Sequence, residues 1–292
     1  MTIATSTETM VVDTQNLQAQ AWTHRKVTSR LVEFTNETDE RVIRATYNNH
    51  QKDSYFSPPH HHNFDQLRFV VAGEVHFNSL VAGAGDCVYF PEGTYYAINP
   101  LTDTVTTCTV QTHGPSWSLL PTRDEMARGA EELQTKGTLD RDKGVFRWPD
   151  GRVQDSYEAT WEQLAQQPMA YPEQRYGAIT LMRSAHYLWQ ASARDQEVSI
   201  KALGAFNQAS PIVSLVRIAA GAELTPIEVT RHQVMFVVGG QATYERDQAV
   251  QAGTIMYSAP GAHRGAIRSE SDTDLLVIGF EPRQTLPGDL WV

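Results

Sequence analysis

The sequence predicts a mainly β protein: two copies of one small antiparallel sandwich or barrel, joined by a partly helical stretch. Three observations predict it. The segment Gln66-Leu67-Arg68-Phe69-Val70-Val71-Ala72-Gly73 returns as Gln233-Val234-Met235-Phe236-Val237-Val238-Gly239-Gly240, an offset of 167. One residue later in register, Gly85-Asp86-Cys87-Val88-Tyr89-Phe90-Pro91-Glu92-Gly93 returns as Gly253-Thr254-Ile255-Met256-Tyr257-Ser258-Ala259-Pro260-Gly261. Two blocks in the same order at nearly the same separation mark an internal duplication. Both copies are short apolar runs separated by turn residues, the pattern of sandwiches and barrels, and between them the spacing becomes helical.

The elements follow in chain order. Residues 1–25, rich in Thr and Ser at their start, read as an arm able to swap onto a neighbouring subunit. Phe69 to Phe77 and Phe236 to Tyr244 are β-branched and aromatic, with Gly where the chain must turn sharply. Cys87 to Phe90 and Ile255 to Tyr257 are short strands ending near Pro and Gly. Thr104 to Gln111 alternates apolar and polar residues, and Leu275 to Phe280 is its counterpart. In the connector, Arg123 to Gln134 is predicted helical: Thr122 is placed to cap it, Glu125 follows three residues on, and Gly137 is a plausible stop. Ser156 to Gln166 is a second helix, with Tyr157, Trp161 and Leu164 at helical spacing and Pro168 beyond. Aromatic residues and the lack of a Gly/Ser-rich composition make residues 119–176 an ordered connector that packs on the β units.

Composition bounds the function. The chain has 292 residues, 41% hydrophobic and 20% charged, with Lys+Arg 24 against Asp+Glu 34 and a net charge of −10. An acidic balance without a basic cluster argues against binding nucleic acid or an anionic lipid surface. No apolar window of about 18 residues and no leader-like segment occur, so neither a membrane span nor a secretory signal is expected. The two cysteines, Cys87 and Cys108, lack metal-type spacing and cannot form a disulfide framework, which suits a reducing, cytoplasmic setting. Both read as buried small hydrophobes.

The chemistry-bearing residues precede the first repeat block, in Ser57-Pro58-Pro59-His60-His61-His62-Asn63-Phe64-Asp65-Gln66. On a strand His60 and His62 face one side and His61 the other, and Gln66 can share the side of the outer two. Two imidazoles with a nearby oxygen donor suit a divalent ion. The plainer readings are a surface histidine cluster and, for Gln66 and Gln233, buried amides bonding across a barrel.

These residues resemble the two characteristic motifs of the cupin superfamily, HxH(x)3-4E(x)6G and G(x)5PxG(x)2H(x)3N. The first falls on His60, His62, Gln66 and Gly73, with Gln66 where the family places a metal-binding Glu. The second falls on Gly85, Pro91, Gly93 and Tyr96, with Tyr96 at the third His. Both halves carry the spacing, so the chain is similar to a bicupin of two jelly-roll barrels. Its implied divisions are an N-terminal arm 1–35, a barrel 36–118, the connector 119–176, a barrel 177–284 and a tail 285–292.

The resemblance implies one divalent metal in the first barrel, held by His60 and His62 with Gln66 and Tyr96. Iron is the first choice, with Mn, Ni, Zn or Cu as alternatives, since a phenolate favours harder ions. Tyr96 is otherwise a proton donor. Tyr95 stands beside it, and only one of the two can face inward. His76 and His113 are further candidates, and strand alternation turns Asp65 outward. In the second copy the HxH positions are Ile227 and Val229, Arg264 stands at the third-His position beside His263, and His232 precedes Gln233, so this barrel reads as structural. The implied activity is a dioxygenase of a small diketone, enol or phenolic substrate; a non-oxidative isomerase, cyclase or lyase and a non-catalytic small-molecule binder are the alternatives. Barrel edges commonly pair in this superfamily, which implies a homodimer.

Overall fold

A computed structural model describes residues 2–4, 7–21, 28–36, 40–52, 57–206 and 211–282. The chain divides into two compact units: Met1–Ile3, Gln15–Glu33 and Val42–Ala185 form the first, and Ala4–Thr14, Phe34–Arg41 and His186–Val292 the second. The connector 119–176 therefore lies inside the first unit. Met10–Asp13, within the predicted N-terminal arm, is an edge strand in the second unit's large sheet, with Met10 opposite Tyr257 and Asp13 opposite Thr254. The tail 285–292 lies outside the described residues.

The first unit is a two-sheet β sandwich curled into a jelly roll. Its large sheet runs in the order Thr2–Ala4, Thr28–Asn36, Arg41–Gln51, Thr104–Thr112, Asp65–Ala72, Asp86–Phe90, Thr180–Arg183, with Gln20–Ala21 also paired to Thr28–Asn36. The small sheet runs Ser57–His60, Tyr96–Pro100, Glu74–Phe77, Leu80–Gly83. Successive side chains alternate faces, so Val70, Val88, Val75, Phe77 and Ile98 meet between the sheets in a buried apolar cluster at one end. The repeated glycine after each Phe-Val-Val block has a backbone reason. Gly73 and Gly240 sit at φ +82° and +84°, and a Cβ there would run into the carbonyl oxygens of Thr104 and Asp272.

Two helices cover the other end. Arg123–Leu133 starts with a complete capping box between Thr122 and Glu125, and Ser156–Ala165 is capped by Asp155, which accepts from the amides of Tyr157 and Glu158. Their apolar faces bring Met126, Tyr157 and Trp161 onto Phe64 and Leu120, and the Trp161 indole N–H donates to the Leu119 carbonyl at 2.9 Å. A three-stranded sheet of Thr138–Asp140, Val145–Arg147 and Val153–Asp155 joins the helices.

The second unit repeats the plan. Its large sheet runs Gln190–Ala191, Val198–Ala205, Ile212–Ile218, Thr273–Phe280, His232–Gly239, Thr254–Ser258, Met10–Asp13, opposed by a small sheet of Glu223–Leu224, Ile267–Ser269, Gln241–Tyr244 and Gln248–Gln251. Here the space between the sheets is filled by Val216, Met235, Val237, Met256, Ile267 and Leu275.

Candidate active site

Strand register builds the site. Gln66 lies opposite Gln111, and Gln111 opposite Arg44, on three adjacent strands of the first unit's large sheet. One step deeper, Arg68, Thr109 and Thr46 form a second row in the same way. Both rows face a cavity of ≈ 100 Å³. Across it, the small sheet sets His60 directly opposite Tyr96, so their rings approach to 4.4 Å between centroids. His62, just past the strand, points the same way: its ring is 4.7 Å from His60 and stacks on Phe64 at 4.4 Å. Met126 and Tyr157 also line the cavity. The burial of Tyr157 pushes its hydroxyl pKa up and keeps it a neutral phenol.

The upper row is one hydrogen-bonded chain. Glu33 pairs with Arg44 at 2.8 Å, both fully buried, and Arg44 donates to the Gln111 amide oxygen at 3.3 Å. Gln111 then donates to Gln66 Oε1 at 2.8 Å, and Gln66 Nε2 donates to Tyr96 Oη at 3.2 Å. Arginine has donors only, so it fixes which way each amide points. This bears on the sequence expectation for Gln66: its oxygen is turned to Gln111 and its NH2 group into the site, an orientation that withholds the oxygen from an ion.

The remaining candidates separate cleanly. Tyr96 is buried and Tyr95 is 56% exposed, where its ring stacks on His61 at 3.9 Å. Asp65 points out of the barrel, accepting from the Tyr89 hydroxyl at 2.8 Å and the Glu92 amide at 2.9 Å. His76 lies on the opposite face from the buried Val75 and Phe77, and His113 stacks on Trp117 at 4.9 Å; neither lines the cavity. Burial pushes both thiols, Cys87 and Cys108, up, so neither is a nucleophile at neutral pH. His50, at the deep end, is lowered to about 3, first by burial and then by the Arg68 charge.

In the second unit, Ile227 lies opposite Arg264 as His60 lies opposite Tyr96. Arg264 donates to the Thr225 carbonyl at 2.7 Å, and His232 bonds the Tyr257 hydroxyl at 2.7 Å. Register also reveals what sequence reasoning passed over: Arg44, Arg68, Thr109 and Gln111. At the matching positions the second unit has Ile212, Met235, Val277 and Gly279. The signal that finds them is polar residues at every second position of one copy, set against apolar ones in the other.

Among the described residues no group of three or more His, Cys, Asp or Glu side chains is gathered to hold an ion. An oxygen donor of another kind faces His60, the hydroxyl of Tyr96. His60 and Tyr96 on facing, in-register positions, with His62 just past the strand, offer two imidazoles and a phenol oxygen, a set that fits a divalent ion with open coordination places.

By sequence, residues 178–283 match the model of the ChrR Cupin-like domain family. No curated protein matches the chain. By structure, the chain is similar to a "putative dioxygenase" from Nostoc punctiforme, with TM-score 0.60, 9% identity, 96% of this chain and 85% of the other covered. It is similar to Bacillus subtilis oxalate decarboxylase, which has Mn(II) centres, with TM-score 0.51, 14% identity and coverage of 94% and 78%. It is also similar to vicilin of hazelnut, Corylus avellana, with TM-score 0.53, 15% identity and coverage of 93% and 85%. At these identities the likeness is one of fold: the chain is mainly β and has the two-barrel cupin architecture, with a short helical connector.

Proposed function

We propose that this bicupin is a metal-dependent enzyme whose chemistry lies in the first barrel, with the second barrel as its structural partner. The observation that carries the reading is the convergence of His60, His62 and Tyr96 on a lined cavity, where the second barrel has Ile227, Val229 and Arg264. His60 and His62 would hold the ion through imidazole nitrogens and Tyr96 through its phenolate. Ser57, 3.2 Å from His60 Nδ1, orients that ring so that Nε2 serves as the ligand atom. Such an ion supplies Lewis acidity toward an enol, carbonyl or phenolic oxygen. The protein supplies the rest. Gln66 donates to the Tyr96 oxygen and favours its charged form; Phe64, Met126 and Tyr157 line the site with apolar and aromatic surface.

The finer proposal is iron and a dioxygenase reaction on a small diketone, enol or phenolic compound. It includes a cytoplasmic homodimer, to be tested by sedimentation of the untagged protein. The Nostoc punctiforme neighbour, described as a "putative dioxygenase", is in keeping with the oxygenase reading.

The test of the ligand set is spectroscopic. Protein reconstituted with Fe(II) and then oxidised to Fe(III) is expected to show a tyrosinate-to-iron charge-transfer band in the visible. Tyr96→Phe should lose the band and Tyr95→Phe should keep it. A band that survives in Tyr96→Phe rejects Tyr96 as a ligand, and O2 uptake by the Fe(II) protein then decides whether an oxygenase remains.

A further inference from the structure

We infer that the substrate of the first barrel carries a carboxylate, bound at the deep end of the cavity by the Arg68 guanidinium and the Thr109 hydroxyl. The inference deepens the proposal above and rests on its reading of this cavity as the substrate site.

The duplication supplies the main argument. Arg68 and Thr109 are cross-strand partners, and their positions in the second barrel hold the cross-strand partners Met235 and Val277. There the two side chains belong to the apolar packing between the sheets. The fold thus closes at this level with apolar residues alone. Placing a guanidinium and a hydroxyl there instead forgoes that packing and desolvates polar groups, a cost that needs another gain. Arg68 is 7% exposed and Thr109 5%, and both line the cavity.

The hydroxyl adds a second observation: Thr109 Oγ1 is fully buried with no hydrogen-bond partner among the described residues. A buried hydroxyl facing a cavity is matched by a ligand acceptor. Charge fixes what kind. Among the described residues the lining contains two guanidinium groups, Arg44 and Arg68, and neither Asp nor Glu. Arg44 is committed to Glu33 in the upper row. His50 beside Arg68 is held neutral by burial, so among the described lining residues the cationic group at the deep end is Arg68. A planar guanidinium fork matches a carboxylate in a way an ammonium cannot.

Position and size complete the class. The register places Arg68 and Thr109 one step below Gln66 and Gln111. An acid anchored there presents its other functional group to His60, His62 and Tyr96. The cavity, ≈ 100 Å³, is smaller than an engineered cavity of about 150 Å³ that admits benzene. That limits the substrate to a short enolisable oxo acid.

The experiment is titration calorimetry on EDTA-treated protein with two acids, pyruvate and 2-oxobutyrate, each against its amide, pyruvamide and 2-oxobutanamide. We expect at least one acid to bind tenfold or more tighter than its amide. Arg68→Met should reduce that preference to threefold or less, Thr109→Val should weaken the acid without affecting the amide, and Arg68→Lys should keep part of the preference. Met and Val are the residues the second barrel packs at these places, and thermal melts of each variant establish that it is folded. Equal binding of both acids and their amides, or absence of acid binding, overturns the inference, as does an undiminished preference in folded Arg68→Met. Metal content is measured separately. A wild-type protein that prefers the acid yet takes up no metal would reject the metal proposal and leave the carboxylate subsite standing; the reverse result would do the opposite.

Discussion

Arg44 has donors and no acceptor, and that property orients the two amides beyond it. Its bond to Gln111 turns the Gln111 amide toward Gln66, which turns the Gln66 NH2 group toward Tyr96. A single residue type at one strand position thus decides that Gln66 enters the site as a donor. Sequence spacing puts Gln66 at the right place, but the direction of its amide depends on a partner 22 residues upstream and another 45 downstream. No local motif carries that information. His50 makes a pH prediction at the same scale. Its folded pKa is about 3, against about 6.5 in the unfolded chain. Between these values the unfolded state binds the extra proton, so stability rises with pH, is complete above about 6.5 and falls on acidification. The slope from this group is about 1.4 kcal/mol per pH unit. Urea unfolding of His50→Gln between pH 4 and 6.5 should show a correspondingly shallower slope than wild type; parallel slopes would mean that His50 is solvated.

Element by element, the parts most readable in the sequence are those with local causes. The helix Arg123–Leu133 starts at Thr122, where its capping box places it, and Ser156–Ala165 lies within the predicted Ser156 to Gln166. Thr122→Ala should destabilise the first unit by about 1 kcal/mol, read as a shift in the urea midpoint at unchanged m-value; a neutral result would mean that the Glu33 carboxylate at the Arg123 amide, 3.0 Å away, suffices as the cap. The three-stranded sheet between the helices was not predicted. Its strands are three residues each, too short for a period-2 pattern to register. The strand Met10–Asp13 also escaped, because an edge strand with half-buried residues looks like a polar arm until its partner Thr254–Ser258 is known.

Over the whole molecule, one fold occurs twice with two kinds of interior, and the difference is written in the inward-facing rows. In the first barrel Arg44, Thr46, Arg68, Thr109 and Gln111 leave a cavity; in the second, Met235, Val216, Val277 and Leu275 leave a packed core. The duplication and the cupin motifs were readable from one sequence because glycine turns and β-branched runs recur at fixed spacing. The barrel proposed to carry the chemistry was singled out by His60 and His62 against Ile227 and Val229. The wall opposite those histidines was not, since only strand register shows which alternate residues look inward together. One consequence follows for stoichiometry: a chain with two barrels should hold one ion, because Ile227 and Val229 offer no donors and Arg264 is bonded to backbone carbonyls.

The most direct measurement is elemental analysis of untagged protein, purified without chelating resin and reconstituted anaerobically with Fe(II), beside a His60→Ala/His62→Ala control. The account predicts about one equivalent of divalent metal per chain, lost in the control and retained in a His232→Ala/His263→Ala variant. No bound metal in the wild type, or equal metal in all three proteins, would contradict it.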